Sequence, residues 1–360
     1  MNGCGVGERM VKSQESRVLV TRWTPDGNDR WSALVSQTAH ANVAHAPEWF
    51  GAIQKAYGHT PVYLQAEDAD GHLAGLPAFL VRSRIFGTVV ASMPFLDGGG
   101  PCGTAGDLAH SAVQSLIEEA GRLGAGSVEL RSTVEINLSV PALEDKVNLV
   151  LPLPRDAGEL WGRLDARVRN QVRKAERSGL SVEFGDREAL DAFYDVFAVN
   201  MRDLGSPVHA RAFFATVLEA FGHRARVGLV RKGPTVIGGL IALAFKDTLV
   251  VPWASSLHQY LALCPNVLLY WETLAAACRE GFARFDFGRS SRDSGTYRFK
   301  RQWGAQEVPL YCYQIPIRRG GGRSLSPTDS RGARLVALWR RLPLGVTRWV
   351  GPRVRKYLTQ

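Results

Sequence analysis

The chain repeats itself over a long interval, and a repeat of that length restricts the folds open to it. Trp49–His59 reads WFGAIQKAYGH and Phe213–His223 reads FFATVLEAFGH, in register at an offset of 164. The same offset aligns His72–Val81 (HLAGLPAFLV) with Val236–Phe245 (VIGGLIALAF). After a four-residue shift, Thr88–Pro94 (TVVASMP) matches Thr248–Ser255 (TLVVPWAS), and Glu118–Ser132 resembles Ala277–Ser290. An interval this long means duplicated domains, because solenoid units are far shorter. Each copy reads as a helix ending at Gly, two or three antiparallel strands, a helix and a returning strand. Asp70-Gly71 and Gly233-Pro234 close the first hairpins and Lys246-Asp247 a second. The expected class is α/β (α+β): two units in tandem, each a mixed, largely antiparallel sheet flanked by helices. LPLP at Leu151–Pro154 breaks the periodicity, which places the units at 15–151 and 152–316 and leaves 317–360 as a tail.

Charge divides along the same line. Residues 317–360 hold eleven Lys/Arg and one acidic residue, so the preceding 316 residues balance at 33 basic and 33 acidic. The net charge of +10 therefore belongs to the tail, and the body lacks the overall positive balance expected of a nucleic-acid binder. The tail opens with a Gly-, Ser- and Pro-rich linker, Arg318–Gly332, and continues as Ala333–Leu342 and LPLGVTRWVGPRVRKYL. Leu335, Val336, Leu338 and Trp339 fall on one side of a helix among Arg334, Arg340 and Arg341, with Pro343 and Pro352 keeping the helices short. A basic amphipathic segment with Trp at its apolar edge predicts peripheral attachment to an anionic membrane surface; docking on its own domain is the alternative. No signal peptide and no spanning segment is legible. Five scattered cysteines, none in a CxxC, argue against a disulfide framework and a metal site and point to the cytoplasm.

The chemistry concentrates in Asp286–Gly304, DFGRSSRDSGTYRFKRQWG. An apolar strand runs into a Gly-Arg-Ser-Ser turn, and a basic-aromatic element follows. Hydroxyls, an Arg and a Lys beside aromatic walls suit a phosphorylated or carboxylate substrate, since cations count for more where water is excluded. Arg289 with Ser290 and Ser291 is the expected oxyanion grip, Arg being the better fork for such oxygens. Arg298, Phe299 and Trp253 complete the expected substrate contacts. Phe299 and Trp303, four apart, equally suit a helix capping the core. Only the second copy carries this run; the first ends its matching strand in ELRST and continues to INLSVPALEDK. No G-x-S-x-G elbow and no HxxxH pair is present.

The tandem halves, the segment VRNQVRKAERSGL (Val168–Leu180) and the strand–FGRSS–YRFKRQWG run together resemble the FemAB group of aminoacyl and acyl transferases. They are most similar to the FemAB-like proteins that accompany bacterial exopolysaccharide and exosortase (PEP-CTERM) systems. The resemblance covers about residues 15–316 and implies two GNAT-like units. It also implies an N-acyltransferase that moves an acyl or aminoacyl group onto a primary amine of a sugar-, lipid- or peptide-linked envelope or exopolysaccharide precursor. Carried onto Lys300, the family's lysine of the FK run would stabilise the oxyanion of a tetrahedral intermediate. Tyr297, three residues before it, would orient or protonate a leaving group. The donor is acyl-CoA or aminoacyl-tRNA. GNAT enzymes cradle the coenzyme's pyrophosphate on a glycine-rich turn, yet the second copy reads SSLHQYLALCPNVLLYW there. The first copy has the glycines, Gly98, Gly99 and Gly100, which either offer backbone amides to a phosphate or shape a tight loop. Arg163, Arg167, Arg169, Arg173, Lys174 and Arg177 form a cationic stripe that would serve tRNA or simply face solvent. Two alternatives to plain acyl transfer stand: an aminoacyl-tRNA-dependent, peptidoglycan-type peptidyltransferase, and a non-catalytic binding module for a nucleotide-sugar or polysaccharide precursor.

Overall fold

The computed structural model describes residues 9–12, 17–25, 30–103, 106–317 and 330–359. Of these, 9–144, 309–317 and 357–359 form one compact unit, and 145–308 with 330–356 form the other.

The first unit comprises β1 (Arg9–Lys12), β2 (Arg17–Arg22), α1 (Arg30–Gln37), α2 (Glu48–Tyr57), β3 (Thr60–Pro61), β4 (Leu64–Glu67), β5 (Leu73–Leu76), β6 (Phe79–Ser83), β7 (Gly87–Ala91), β8 (Cys102–Gly103), α3 (Gly106–Arg122) and β9 (Ser127–Ser132). Its strands form two five-stranded sheets, β1-β2-β4-β5-β8 and, with a strand contributed later in the chain, a second built on β9-β7-β6-β3. The split has a local cause. Pro77 occupies the position equivalent to Ile241 in the second copy; it has no N–H for a ladder, and the strand divides into β5 and β6 around it.

The second unit comprises β10 (Lys146–Pro152), α4 (Ala157–Arg163), α5 (Ala166–Arg177), β11 (Leu180–Gly185), α6 (Leu190–Leu204), α7 (Arg211–Phe221), β12 (Ala225–Lys232), β13 (Thr235–Phe245), β14 (Thr248–Ser256), α8 (Pro265–Arg279), β15 (Arg284–Ser291), α9 (Gly295–Arg301) and β16 (Gln306–Pro309). One seven-stranded sheet runs β11-β12-β13-β14-β15-β10-β16. On one face Leu240, Leu249, Val251, Phe285 and Phe287 pack with Leu160, Val172, Leu268 and Leu274 of α4, α5 and α8. On the other, Phe193, Phe197, Phe213 and Phe214 of α6 and α7 form a ring-on-ring layer. The repeated helices α2 and α7 both end where Gly takes a positive φ, at Gly58 and Gly222.

The division expected at Leu151–Pro154 falls at the end of β10, which pairs antiparallel with β15 in the second unit's sheet. The strand β17 (Tyr311–Pro316) in turn pairs with β9 in the first. Neither strand lies in the repeated segments, so periodicity had no means of assigning them.

The tail forms α10 (Ser330–Arg341) and α11 (Leu344–Arg355), both packed against α6. Pro343 separates them as expected, whereas Pro352 sits inside α11, where Gly351 seats that helix directly on Val208. Arg348 pairs with Asp195, and Arg355 Nε donates to His209 Nε2 at 3.1 Å. The face expected from sequence is divided: Val336 lies at Gly205, while Leu335 and Leu338 are exposed. Residues 318–329 of the expected linker lie outside the described residues. No described helix is long and apolar enough to cross a membrane.

Candidate active site

Strands β14 and β15 run parallel but stay paired only over Thr248–Val250 and Arg284–Asp286. Both bulge where they part. On β14, Val251 and Pro252 oppose the single residue Ala242; on β15, Phe287 and Gly288 oppose Leu149. Bulges bend a strand and re-aim its side chains, which is why they collect beside active sites. Gly288 takes a φ of 71°, and its N–H donates to Asp286 Oδ1 at 2.7 Å. The parted end of β15 then delivers Arg289, Ser290 and Ser291.

Helix α9 caps that end. Asp293 turns the chain with a φ of 63°, and Ser294 Oγ accepts the N–H of Tyr297 as an N-cap. Phe299 and Trp303 fix the roll of the helix: Phe299 meets Tyr270 edge to face, and Trp303 is buried with the core on the α8 side. Those anchors turn Lys300 toward β15. Only 9% of it is exposed, and Nζ donates to the carbonyls of Gly288 at 3.0 Å and Arg289 at 2.7 Å. The neighbouring cations are held as well: Arg298 Nη1 donates to Asp293 O at 2.7 Å and Arg301 Nη1 to Ala305 O at 2.6 Å. The segment is thus a scaffold of cations tied to its own backbone, with one ammonium fixed at the strand end.

Tyr297 is committed elsewhere. Its hydroxyl donates to Glu307 on β16, which also holds Arg292 Nε at 3.1 Å. The bond to the carboxylate, with some desolvation, raises the phenol above its usual pKa, and the same bond lowers that of Glu307. Nothing in the sequence pattern singled out Glu307. For Asn148 the sequence does hold a signal, since it is the one polar residue inside the apolar run VNLVL. It sits on β10 opposite Arg289 and is 5% exposed. The atoms Asn148 Oδ1, Ser290 Oγ and Trp303 Nε1 are all buried without a protein hydrogen-bond partner. Asn148 and Ser290 sit at adjacent positions of the β10–β15 ladder at this strand end, and two such groups there are unusual, because buried polar atoms are nearly always satisfied by protein, water or ligand.

Structure and expectation separate at three other places. Trp253 lies on the parted stretch of β14 and faces the α6–α7 layer: the bulge places it opposite Ile241, with its ring centroid 5.6 Å from that of Phe213 and 5.2 Å from that of Phe214. Gly98, Gly99 and Gly100 are buried rather than presented. Asn42 Nδ2 donates to Gly98 O and His45 Nε2 meets Gly100 O, each at 2.9 Å; a Cβ at Gly99 would lie 2.5 Å from that of Met93. The glycines permit close packing of a turn. In the cationic stripe of α5, Arg169 turns back to cap α4 at Leu164 O, and Arg173 lies over the Trp161 ring at 5.6 Å.

The two units treat the parted strands differently. In the first, β7 and β9 also pair in parallel for only three residues, Val89–Ala91 with Ser127–Glu129. There, however, Ser92 bridges the strands, its N–H donating to Glu129 O at 2.8 Å and its Oγ accepting Arg131 N at 2.9 Å. The buried Arg131 guanidinium adds bonds to Leu96 O at 3.1 Å and Thr359 O at 2.7 Å. That parting is filled by the protein's own groups. A shallow cavity of about 550 Å³, lined by Phe184, Arg224, Arg226, Glu280 and Phe282, lies at the opposite end of β15 from Lys300. Asp68, Asp70 and His72 bring potential ligand atoms within 4.8 Å in an exposed turn, but the Asp68 carboxylate there accepts the N–H groups of Asp70 and His72.

In the second unit a mostly antiparallel sheet with helices on both faces has two central strands that bulge and part, and in the first β7 and β9 likewise pair in parallel for three residues before separating. The chain has a tandem GNAT-type fold. Residues 162–301 match the family model of the acetyltransferase (GNAT) domain, spanning α5 to α9. Among solved structures, FemX aligns with a TM-score of 0.61 at 13% identity, covering 82% of this chain and 97% of FemX. The C-terminal domain of a protein from Agrobacterium fabrum assigned as a lysylphosphatidylglycerol synthetase aligns with a TM-score of 0.55 at 13% identity, covering 80% of this chain and 90% of that one. A tandem GNAT protein from the clavulanic acid biosynthesis pathway aligns with a TM-score of 0.51 at 10% identity, covering 84% and 99%. No curated protein matches the sequence. At these identities the likeness extends to the fold.

Proposed function

We propose that the protein is an N-acyltransferase whose chemistry sits in the second unit, moving an acyl or aminoacyl group onto a primary amine of a cell-envelope precursor. The carrying observation is Lys300, a buried ammonium held by two strand-end carbonyls where β14 and β15 part. Attack of an amine on a thioester or ester carbonyl places negative charge on one oxygen. A cation already fixed in a poorly solvated site stabilises that oxygen without reorganising. Arg289 and Ser291 follow Gly288 on the same strand and are assigned to the acceptor's phosphate or carboxylate. Tyr297, already donating to Glu307, positions the α9–β16 edge. The first unit, its own parting bridged by Ser92 and Arg131, is assigned to support and recognition.

The names of the structural relatives favour an envelope acceptor, since lysylphosphatidylglycerol is an aminoacylated lipid. An acceptor in an exopolysaccharide system of the exosortase type is the narrower form of this proposal. Both donors remain in it. Helix α8 begins at Pro265, which has no N–H, after a 3₁₀ turn His258–Leu263, so the backbone there offers a pyrophosphate less than a glycine-rich turn does. The test is a thermal-shift screen of the purified protein with acyl-CoA and with charged tRNA, then transfer to an amine acceptor. A donor at about a hundredfold its Kd stabilises by roughly 2.7 kcal/mol and moves the transition by several degrees. A shift with neither donor, alongside binding of a nucleotide-sugar, would replace the transferase by a binding module.

A further inference from the structure

The docked tail leaves a second face uncovered, and its chemistry is unlike the rest of the protein's surface. Residues 330–359 contain eight Lys/Arg and no acidic residue. Three of those cations are spent inward: Arg340 on Leu204 O, Arg348 on Asp195, Arg355 on His209. On α11, Thr347 and Gly351 are buried against the unit, and the opposite side carries Val346, Trp349 and Arg353. On α10, Leu335 and Leu338 lie between the exposed Arg334 and Arg341. Leu335, Leu338 and Trp349 are 56%, 59% and 64% exposed, and Val346 40%. Leu335, Leu338 and Trp349 are, with Ile85, the most exposed large apolar side chains among the described residues. The Arg353 guanidinium lies over the Trp349 ring at 4.1 Å, an aromatic body with a cation at its rim.

We infer that this face, Leu335, Leu338, Val346 and Trp349 set among Arg334, Arg341 and Arg353, seats the protein on an anionic phospholipid surface. Short helices with apolar side chains on one side and Arg around them lie in the bilayer interface, Trp and Arg being suited to the headgroup level. The partner is identified by charge. The docked helices carry no acidic side chain of their own, so they are drawn to the negative leaflet more strongly than to an ordinary mixed-charge protein surface. The inward pairs decide which face is offered, because they clamp the helices so that the apolar side chains point away from α6. This inference does not depend on the transferase reading: vesicle binding is measured without donor or acceptor, so either can fail alone.

The experiment is vesicle flotation of the full chain with phosphatidylcholine vesicles and with phosphatidylcholine–phosphatidylglycerol vesicles. Binding is expected at least about tenfold tighter with the anionic lipid and weaker as salt rises. The double variant Leu338→Glu/Trp349→Glu should lose that binding about tenfold or more while melting as the parent does, since neither side chain is buried. Should it not fold, Arg334→Ser/Arg353→Ser reads the electrostatic half and must reduce binding to the anionic vesicles alone. Equal binding to neutral vesicles, unchanged binding of the variants, or displacement of the protein from lipid by tRNA would overturn the inference.

Discussion

Replacing Lys300 with Met tests the central geometry at a site where stability and catalysis should fall together but by separable amounts. Met keeps the length and the apolar stem while removing the ammonium that bonds Gly288 O at 3.0 Å and Arg289 O at 2.7 Å. Hydrogen bonds from a charged donor contribute roughly 1.5–3 kcal/mol each, and water reaching this partly buried strand end would offset some of the loss. The expected net cost is about 2–4 kcal/mol, or on the order of 5–15 °C in the transition of a domain of this size. Thermal unfolding by circular dichroism measures it. Once a donor is found, transfer should fall by about 10²–10³ with acceptor affinity little changed, the loss typical of removing one oxyanion donor. Lys300→Arg recovers a cation but not its point geometry, so stability should return in part and turnover should not. A Lys300→Met protein that melts within about a degree of the parent would mean the two carbonyl bonds contribute nothing. The fixed-cation reasoning would then be wrong, and intact turnover in that variant would remove Lys300 from the mechanism altogether.

Four further outcomes follow from single contacts. Ser290→Ala deletes a buried hydroxyl without a protein partner, so stability should hold or rise by up to about 1 kcal/mol, measured by urea midpoint, while acceptor affinity drops if that hydroxyl serves a ligand. Gly99→Ala would drive a Cβ into Met93 and should cost about 1–3 kcal/mol of first-unit stability; a neutral result would return the glycine run to the candidates for phosphate binding. His209 is held neutral by burial and, second, by Arg355, its pKa well below 6.5. Its contribution is complete above the unfolded value and is lost as pH falls from about 6.5 toward the folded pKa, so urea midpoints should drop on acidification and His209→Gln should flatten that slope. Tyr297 should resist ionisation beyond an ordinary phenol in an ultraviolet titration, and Glu307→Gln should bring it back toward normal.

Much of this architecture is legible in the sequence. The 164-residue offset marks the two copies, Gly58 and Gly222 mark matching helix ends, and the uneven FKRQWG run marks the copy that differs. Those features are local, carried by period, glycine geometry and composition, and local physics writes them into the order of residues. The facing of Trp253 is not local in this sense, because it depends on a bulge at Val251–Pro252, and a one-residue change of register sends every later side chain to the opposite face.

The tertiary structure alone decided what each charged and polar group does. Sequence could show Lys300 beside aromatic residues; only the packing of Phe299 and Trp303 turns its ammonium onto two carbonyls of β15. The triglycine could either offer its amides or shape a tight loop, and its burial depends on Asn42 and His45, which hold its carbonyls from 56 and 55 positions earlier, and on Met93. The pairing of β10 with β15 and of β17 with β9 joins strands that are distant in the chain, and no local pattern encodes such partners. The same holds for the tail. Its composition made it basic and amphipathic, but which half of that face is buried on α6 and which is shown to solvent was settled by Val336 against Gly205 and Gly351 against Val208. Identity and periodicity determine which elements form. Long-range contact determines where their chemistry points.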